Sequence, residues 1–141
     1  MMVAKECYNL FMNFDLQQAR KLGIKLAVLF GSQAEGTARS DSDTDVAVLT
    51  DKQATYTNFT NIYEYFSNIY GSTVDVRFLN DSDPLFRYQV FKNGQLLIGN
   101  NNDFIKEKIL AHKMYIDDVL PYQDLFMKKI KNNQKQLEND R

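Results

Sequence analysis

Residues 27–49 contain the feature that most restricts how this chain can fold: an apolar run, a Gly-Ser turn, a polar loop and a second strand that begins with acidic residues. The apolar run, 27–30, is continuous, as in a strand buried on both faces. Gly31 then allows a sharp turn and a close approach of the backbone to a ligand. Ser32 adds hydroxyl and backbone N–H donors, which are groups that hold phosphate. The stretch predicts a buried strand that leads into a phosphate-binding turn.

Two carboxylates, Asp43 and Asp45, begin the second predicted strand at about residues 43–50. Side chains two positions apart in a strand point to the same face, so these carboxylates lie side by side. Such a pair repels unless a cation lies between its members. Mg²⁺ is commonly held by one or two carboxylates together with substrate phosphates. Asp41 forms a competing Asp-x-Asp pair with Asp43, although an Asp in a loop rich in Ser and Asp is more often a turn former.

A third carboxylate, Asp75, lies in a predicted strand at residues 73–79. This strand alternates: Val74 and Val76 occupy one face, and Asp75 and Arg77 the other, as in a strand with one side packed. If it pairs beside the strand at 43–50, Asp75 joins the two earlier carboxylates. Two metal ions about 3.5–4 Å apart can clamp the entering and leaving oxygens of an in-line displacement, and roughly three carboxylates would hold them.

The remaining pattern predicts helices alternating with strands, which indicates an α/β domain. The predicted elements are a helix over 3–21, strands over 25–30 and 43–50, a helix over 53–70, a strand over 73–79, a helix over 83–93, a strand over 95–98, a helix over 103–120 and a last helix after a break or kink at Pro121. No repeat or linker divides the chain, so we expect one domain over 1–141, with about 134–141 as a flexible tail.

Composition excludes several classes of function. Basic and acidic side chains nearly cancel, 17 against 18, so a general nucleic-acid binder is disfavoured. Cys7 is the only cysteine, which rules out an internal disulfide and fits a reducing cytoplasm. Polar residues interrupt the N-terminal segment, which does not resemble a signal peptide, and no apolar run approaches the ~20 residues that span a bilayer. We expect a cytoplasmic protein without a membrane or direct nucleic-acid partner.

The two-part pattern G31-S32-Q-A-E-G and S42-D43-T-D45-V resembles the signature of the nucleotidyltransferase superfamily. The short chain is similar to the minimal nucleotidyltransferases that serve as antitoxins beside a HEPN-domain toxin in prokaryotes. The resemblance extends to V-D-V-R at 74–77 and to the later FKNGQLLIG segment. It implies a nucleotidyltransferase fold: a small mixed β-sheet, helices mainly on one face and an open active-site face.

The resemblance also implies an activity. AMP would be transferred from ATP to a tyrosine of the cognate HEPN toxin, an RNase, which is thereby inactivated. Asp43, Asp45 and Asp75 would be catalytic and hold Mg²⁺, two ions in the usual scheme, and Asp75 would also help to deprotonate the nucleophile. Gly31 and Ser32 would bind the β- and γ-phosphates. The family's register places Asp43 and Asp45, rather than the pair that includes Asp41, at the metal.

One departure from the family keeps other functions open. Gln33 and Glu35 stand where many relatives carry arginines, which lowers the positive potential beside the triphosphate; Arg39 and Arg77 are the candidates to replace it. The second hypothesis is therefore an inactive nucleotidyltransferase that neutralises its toxin by binding. The third, an aminoglycoside-type nucleotidyltransferase, is disfavoured because the chain has no added helical substrate domain.

Overall fold

The computed structural model describes residues 14–36, 43–51 and 55–140. In chain order the elements are α1 (Leu16–Lys21), β1 (Ile24–Phe30), α2 (Ser32–Glu35), β2 (Thr44–Thr50), α3 (Tyr56–Tyr70), β3 (Val74–Phe78), α4 (Pro84–Asn93), β4 (Gln95–Ile98), α5 (Asn101–Met114), a π-helical turn (Tyr115–Val119) and α6 (Leu120–Asn139). All four predicted strands are present within two residues of their predicted ends. Within the described residues, every helix is too short or too polar to cross a membrane.

The four strands form one mixed sheet in the order β3-β2-β1-β4. β1 is antiparallel to both β2 and β4, whereas β2 and β3 are parallel. The parallel pair requires a crossover connection, and α3 provides it. The mixed sheet predicted for this chain is confirmed, and so is the pairing of β3 beside β2.

One face of the sheet packs against α1 and α3. Val46 and Val48 of β2 are fully buried there against Ile62 and Phe66 of α3. Val74 of β3 joins the same cluster. The side chains predicted to face the core from these two strands therefore do so.

The opposite face carries a second apolar cluster beneath α4 and α5. Val28 and Ala47 pair across β1 and β2 and contact Val90, Phe91 and Ala111. Because both faces of β1 are covered, its side chains are apolar at consecutive positions. The carboxylates of the predicted site lie on this second face, at the end of the strands that is next to α4.

Tyr65 ties the first face of the sheet to α1. Its hydroxyl donates to the backbone oxygen of Asp15 at 3.1 Å, and burial raises the pKa of the phenol. Tyr65→Phe removes one hydrogen bond and leaves a partly buried carbonyl with one partner fewer. We expect the free energy of unfolding to fall by about 1 kcal/mol in urea titrations. Tyr63→Phe, on the exposed side of α3, is the matched control and should change it by less than about 0.5 kcal/mol.

The predicted helix over 3–21 differs from the structure within the described residues. Phe14 and Asp15 are not helical, and α1 starts at Leu16 because the Asp15 carboxylate accepts a hydrogen bond from the N–H of Gln18 at 3.1 Å and caps the helix. The predicted helix over 3–21 is therefore wrong at these two residues. Its earlier part, 3–13, lies outside the described residues.

The helix does not break at Pro121, and the alternative prediction of a kink there stays a prediction. The backbone stays helical from α5 through α6, and the irregularity comes earlier, where the N–H of Leu120 donates to the oxygen of Tyr115 in a π-type bond. Pro121 has no backbone N–H to donate, and its ring needs space next to the preceding helical turn. The wider π-helical turn provides that space. The helix then continues to Asn139, so residues 134–139 are helical. Flexibility of this end stays a prediction.

Candidate active site

Asp45 and Asp75 lie side by side on adjacent parallel strands. The register of β2 and β3 pairs Asp45 directly with Asp75, and paired residues point to the same face of a sheet. The antiparallel register of β1 places Phe30 on the other side of Asp45. Asp43 is exposed and comes one residue before β2 begins. The structure therefore brings Asp45 and Asp75 together as the sequence predicted, with Asp43 at the adjoining strand end.

The electrostatics of Asp45 reflect this placement. Partial burial raises the pKa of its carboxyl above the ordinary 3.8, and the negative charges of Asp75 and Asp43 raise it further. The positive charge of Arg77 lowers the pKa of Asp45. The Asp45 carboxylate is thus close enough to Asp75 and to Asp43 to be repelled by both, and Arg77 offsets only part of this repulsion. A bound cation would relieve it.

The donor set can be tested against a metal. Carboxylate oxygens are the ligands that Mg²⁺ prefers, and the ion usually takes its remaining ligands from waters and substrate phosphates. Among the described residues, however, no three His, Cys, Asp or Glu side chains form a preassembled metal-binding group. The chemistry and the paired placement of Asp45 and Asp75 therefore fit Mg²⁺. The protein does not present a complete set of ligands in advance, so waters and substrate phosphates would have to supply further ones.

Gly31 packs directly against the Asp45 carboxylate. Its φ of 72° and ψ of −152° suit glycine alone. A Cβ built on Gly31 would collide with Oδ2 of Asp45. Ser32 follows as the first residue of α2. The predicted phosphate-binding turn therefore lies against Asp45, one of the predicted metal ligands.

α2 is held in place by the α4–β4 connection. Asn93 donates to the Glu35 carboxylate at 3.2 Å, and the side chain of Gln95 donates to the α2 backbone at 3.1 Å. On this side of α2 lies a cleft of about 720 Å³ that is lined by Lys92 and Lys108. No sequence pattern pointed to these lysines, because they come from two helices that only the fold brings together.

Arg77 is a third residue whose placement the sequence could not give. Its guanidinium carbon lies 4.5 Å from the centre of the Phe86 ring, and that ring meets Phe30 edge-on at 5.7 Å. Arg77 therefore stands beside Asp45 with its planar group stacked on an aromatic face. Arg39 and Asp41, the other candidates in the loop, lie outside the described residues.

The raised pKa gives a stability prediction for Asp45. A carboxyl whose pKa is higher in the folded state costs folding free energy once it ionises, and that cost vanishes below its ordinary pKa of 3.8, where both states are protonated. Asp45→Asn should therefore raise the free energy of unfolding at neutral pH, and with it the urea midpoint, by less than about 1 kcal/mol in free energy, because solvent screens a partly exposed group. The gain should disappear in acid. Asp51→Asn, at the other end of β2, is the control, and a loss of stability in Asp45→Asn would contradict the account.

Comparison with known proteins shows the family to which this chain belongs. Residues 16–103 match the family model described as "Polymerase beta, Nucleotidyltransferase". The matched segment contains Gly31, Ser32 and all three predicted carboxylates. No curated protein sequence matches the chain.

Solved structures share the fold. A toxin–antitoxin crystal structure with AMP-PNP contains a chain that is 23% identical, with a TM-score of 0.65, over 82% of this chain and 98% of that one. A structure of a tri-AMPylated Shewanella oneidensis HEPN toxin in complex with MNT antitoxin gives 20% identity and a TM-score of 0.62 over 92% of this chain and 99% of the matched chain. The crystal structure of the toxin–antitoxin MntA-HepT gives 21% identity and a TM-score of 0.60 over 81% of this chain and 95% of the matched chain.

Proposed function

Because this chain belongs to the polymerase beta-type nucleotidyltransferase family, we propose that it is a single-domain cytoplasmic antitoxin that transfers AMP from ATP to a tyrosine of a HEPN-domain toxin. The observation that carries the proposal is the in-register pair of Asp45 and Asp75 against the Gly31 turn. The fold shared with antitoxins crystallised beside HEPN toxins, one of them AMPylated, supports the choice of partner.

The chain's own residues take separate roles in this reaction. Gly31 and Ser32 would hold the β- and γ-phosphates, and Asp43, Asp45 and Asp75 would hold Mg²⁺, which would supply neutralisation of the triphosphate and of the charge on the leaving pyrophosphate. The tyrosine oxygen attacks the α-phosphorus, the bond to pyrophosphate breaks, and the phenolic proton passes to the Asp75 carboxylate.

ATP labelled at different phosphates tests this reaction. The protein is incubated with Mg²⁺, its HEPN toxin and ATP that carries the label on either the α- or the γ-phosphate. We expect the α-label on the toxin and the γ-label in released pyrophosphate. Toxin that takes up the γ-label would indicate phosphoryl transfer, and toxin that takes up neither would reject the proposal.

A second candidate is neutralisation of the toxin by binding alone. Two observations favour it: Glu35, hydrogen-bonded to Asn93, adds negative charge next to the phosphate turn, and no three-ligand metal group is preassembled in residues 14–36, 43–51 and 55–140. This function predicts that Asp45→Asn still protects cells from the toxin and that the complex survives gel filtration without ATP. Under the enzymatic proposal the same variant loses protection.

A further inference from the structure

The cleft beside α2 carries an excess of positive charge. Lys92, from the last turn of α4, and Lys108, from α5, line it together with a single carboxylate, that of Glu35. The carboxylate accepts a hydrogen bond from Asn93, and within residues 14–36, 43–51 and 55–140 neither lysine forms a salt bridge. Like charges that line one cleft repel each other, and an anion between them relieves the repulsion. The cleft therefore suits an anionic ligand.

The cleft adjoins the phosphate-binding turn on the side away from the carboxylates. In the sheet, β1 lies between β2 and β4, and Gly31 follows the end of β1. Asp45 of β2 pairs with Phe30, the last residue of β1. Gln95 of β4, which lines the cleft, pairs with Leu29, one position earlier in the same strand. Because neighbouring strands are about 4.8 Å apart, a ligand that spans roughly 10 Å across the turn connects the carboxylates to the cleft.

The charges around the phosphate-binding turn are distributed unevenly. Glu35 adds a negative charge to α2 itself. Arg77 lies on β3, on the far side of the carboxylates from α2, and its guanidinium is stacked on an aromatic ring. Lys92 and Lys108 supply positive charge on the side of α2 where the end of a triphosphate would emerge. The volume of the cleft, about 720 Å³, is within the ~300–1,000 Å³ of small-molecule sites.

We propose that Lys92 and Lys108 bind the terminal phosphate of the nucleoside triphosphate and thereby favour ATP over ADP. The proposal rests on the proposed function, which makes ATP the substrate. The phosphates cross from the carboxylates over the Gly31 turn to the cleft, where the two ammonium groups contact oxygens of the γ-phosphate. Lysine suits this role because its flexible stem carries a compact charge with three donors. In this arrangement neither lysine touches the reacting α-phosphorus, so both contribute binding rather than chemistry.

Calorimetric titration of the full chain tests the proposal without the toxin. The titrants are a non-hydrolysable ATP analogue and ADP, each with Mg²⁺. We expect Lys92→Gln and Lys108→Gln each to weaken binding of the ATP analogue about tenfold, because each removes one charged contact to the terminal phosphate. Binding of ADP, which lacks that phosphate, should change by less than about threefold. The double variant should therefore bind the two nucleotides with nearly equal affinity.

Lys106→Gln is the matched control. Lys106 is an exposed lysine of α5 that does not line the cleft, and the same loss of charge there should leave binding of the ATP analogue within about twofold. Glu35→Gln should have the opposite effect and strengthen binding of the analogue. It removes the negative charge from the cleft wall, and its amide oxygen can still accept the hydrogen bond from Asn93. Circular dichroism checks that each variant folds.

Four results would decide the proposal. Lysine-dependent binding of the ATP analogue, without AMP transfer to the toxin, would support the lysine site and reject the proposed function. AMP transfer with unchanged binding of the analogue in the double variant would support the proposed function and overturn the lysine site. Equal losses of affinity for the analogue and for ADP would overturn the assignment to the terminal phosphate. Unchanged binding of the analogue with weaker binding of the HEPN toxin would also overturn the proposal, because the cleft would then receive acidic groups of the toxin.

Discussion

Asp75→Asn is expected to lower AMP transfer to the toxin by about 100- to 1000-fold, because it removes one of the two paired carboxylates and the acceptor of the tyrosine proton. The side chain is exposed, so the fold should be unaffected. Label transferred from α-labelled ATP under single-turnover conditions measures the effect. Glu cannot be expected to rescue this position, because its longer chain moves the carboxylate relative to Asp45.

Asp51→Asn is the control for this prediction. Asp51 is also exposed and follows β2 at the end remote from the site, so the same loss of charge there should leave transfer within about twofold of the unaltered protein. Equal transfer by Asp75→Asn and the unaltered protein would remove Asp75 from the site. It would also leave the pairing of β2 and β3 without a catalytic role.

Gly31→Ala should abolish transfer and lower the free energy of unfolding by about 2–4 kcal/mol. The backbone at Gly31 has a positive φ that alanine resists, and the added methyl would collide with the Asp45 carboxylate. Displacement of that carboxylate removes the proposed metal ligand even if the chain still folds. Urea unfolding measures the stability, and the α-label assay measures the transfer.

Gly36→Ala separates backbone strain from the collision. Gly36 also has a positive φ, 73°, but a Cβ there would meet nothing within 4 Å. We expect it to cost about 1 kcal/mol and to retain most of the activity. Similar losses in Gly31→Ala and Gly36→Ala would mean that the contact between Gly31 and Asp45 has no special importance.

The sequence predicted the strands well because their signals are local. The continuous apolar run of β1 and the alternation of β3 each follow from which faces are covered, and the Asp83-Pro84 start of α4 is confirmed by a hydrogen bond from the N–H of Phe86 to the Asp83 carboxylate at 2.9 Å. The spacing of Asp43 and Asp45 predicted a shared face of one strand, whereas in the structure Asp43 comes one residue before β2. The roles of these residues stay predictions.

The features that sequence reasoning missed depend on contacts between distant segments. Arg77 stacks on Phe86, and Lys92 shares a cleft with Lys108, only because α4 and α5 cross the second face of the sheet. A break or kink was predicted at Pro121 because proline is a strong local signal, whereas the π-helical turn that precedes it has no such signal in the sequence. The sequence predicted the pairing of Asp45 with Asp75 only on the condition that β3 lies beside β2, which the topology confirms, and the exposure of α6 could not be predicted without the topology.

A crystal structure with Mn²⁺ in place of Mg²⁺ and a non-hydrolysable ATP analogue tests the central claim most directly, because the anomalous signal locates the metal. The account predicts an ion within about 2.0–2.3 Å of carboxylate oxygens of both Asp45 and Asp75, with the phosphates against Gly31 and Ser32. A second ion about 3.5–4 Å away would accord with the two-metal scheme. Nucleotide bound elsewhere, or a metal ion held without either carboxylate, would contradict it.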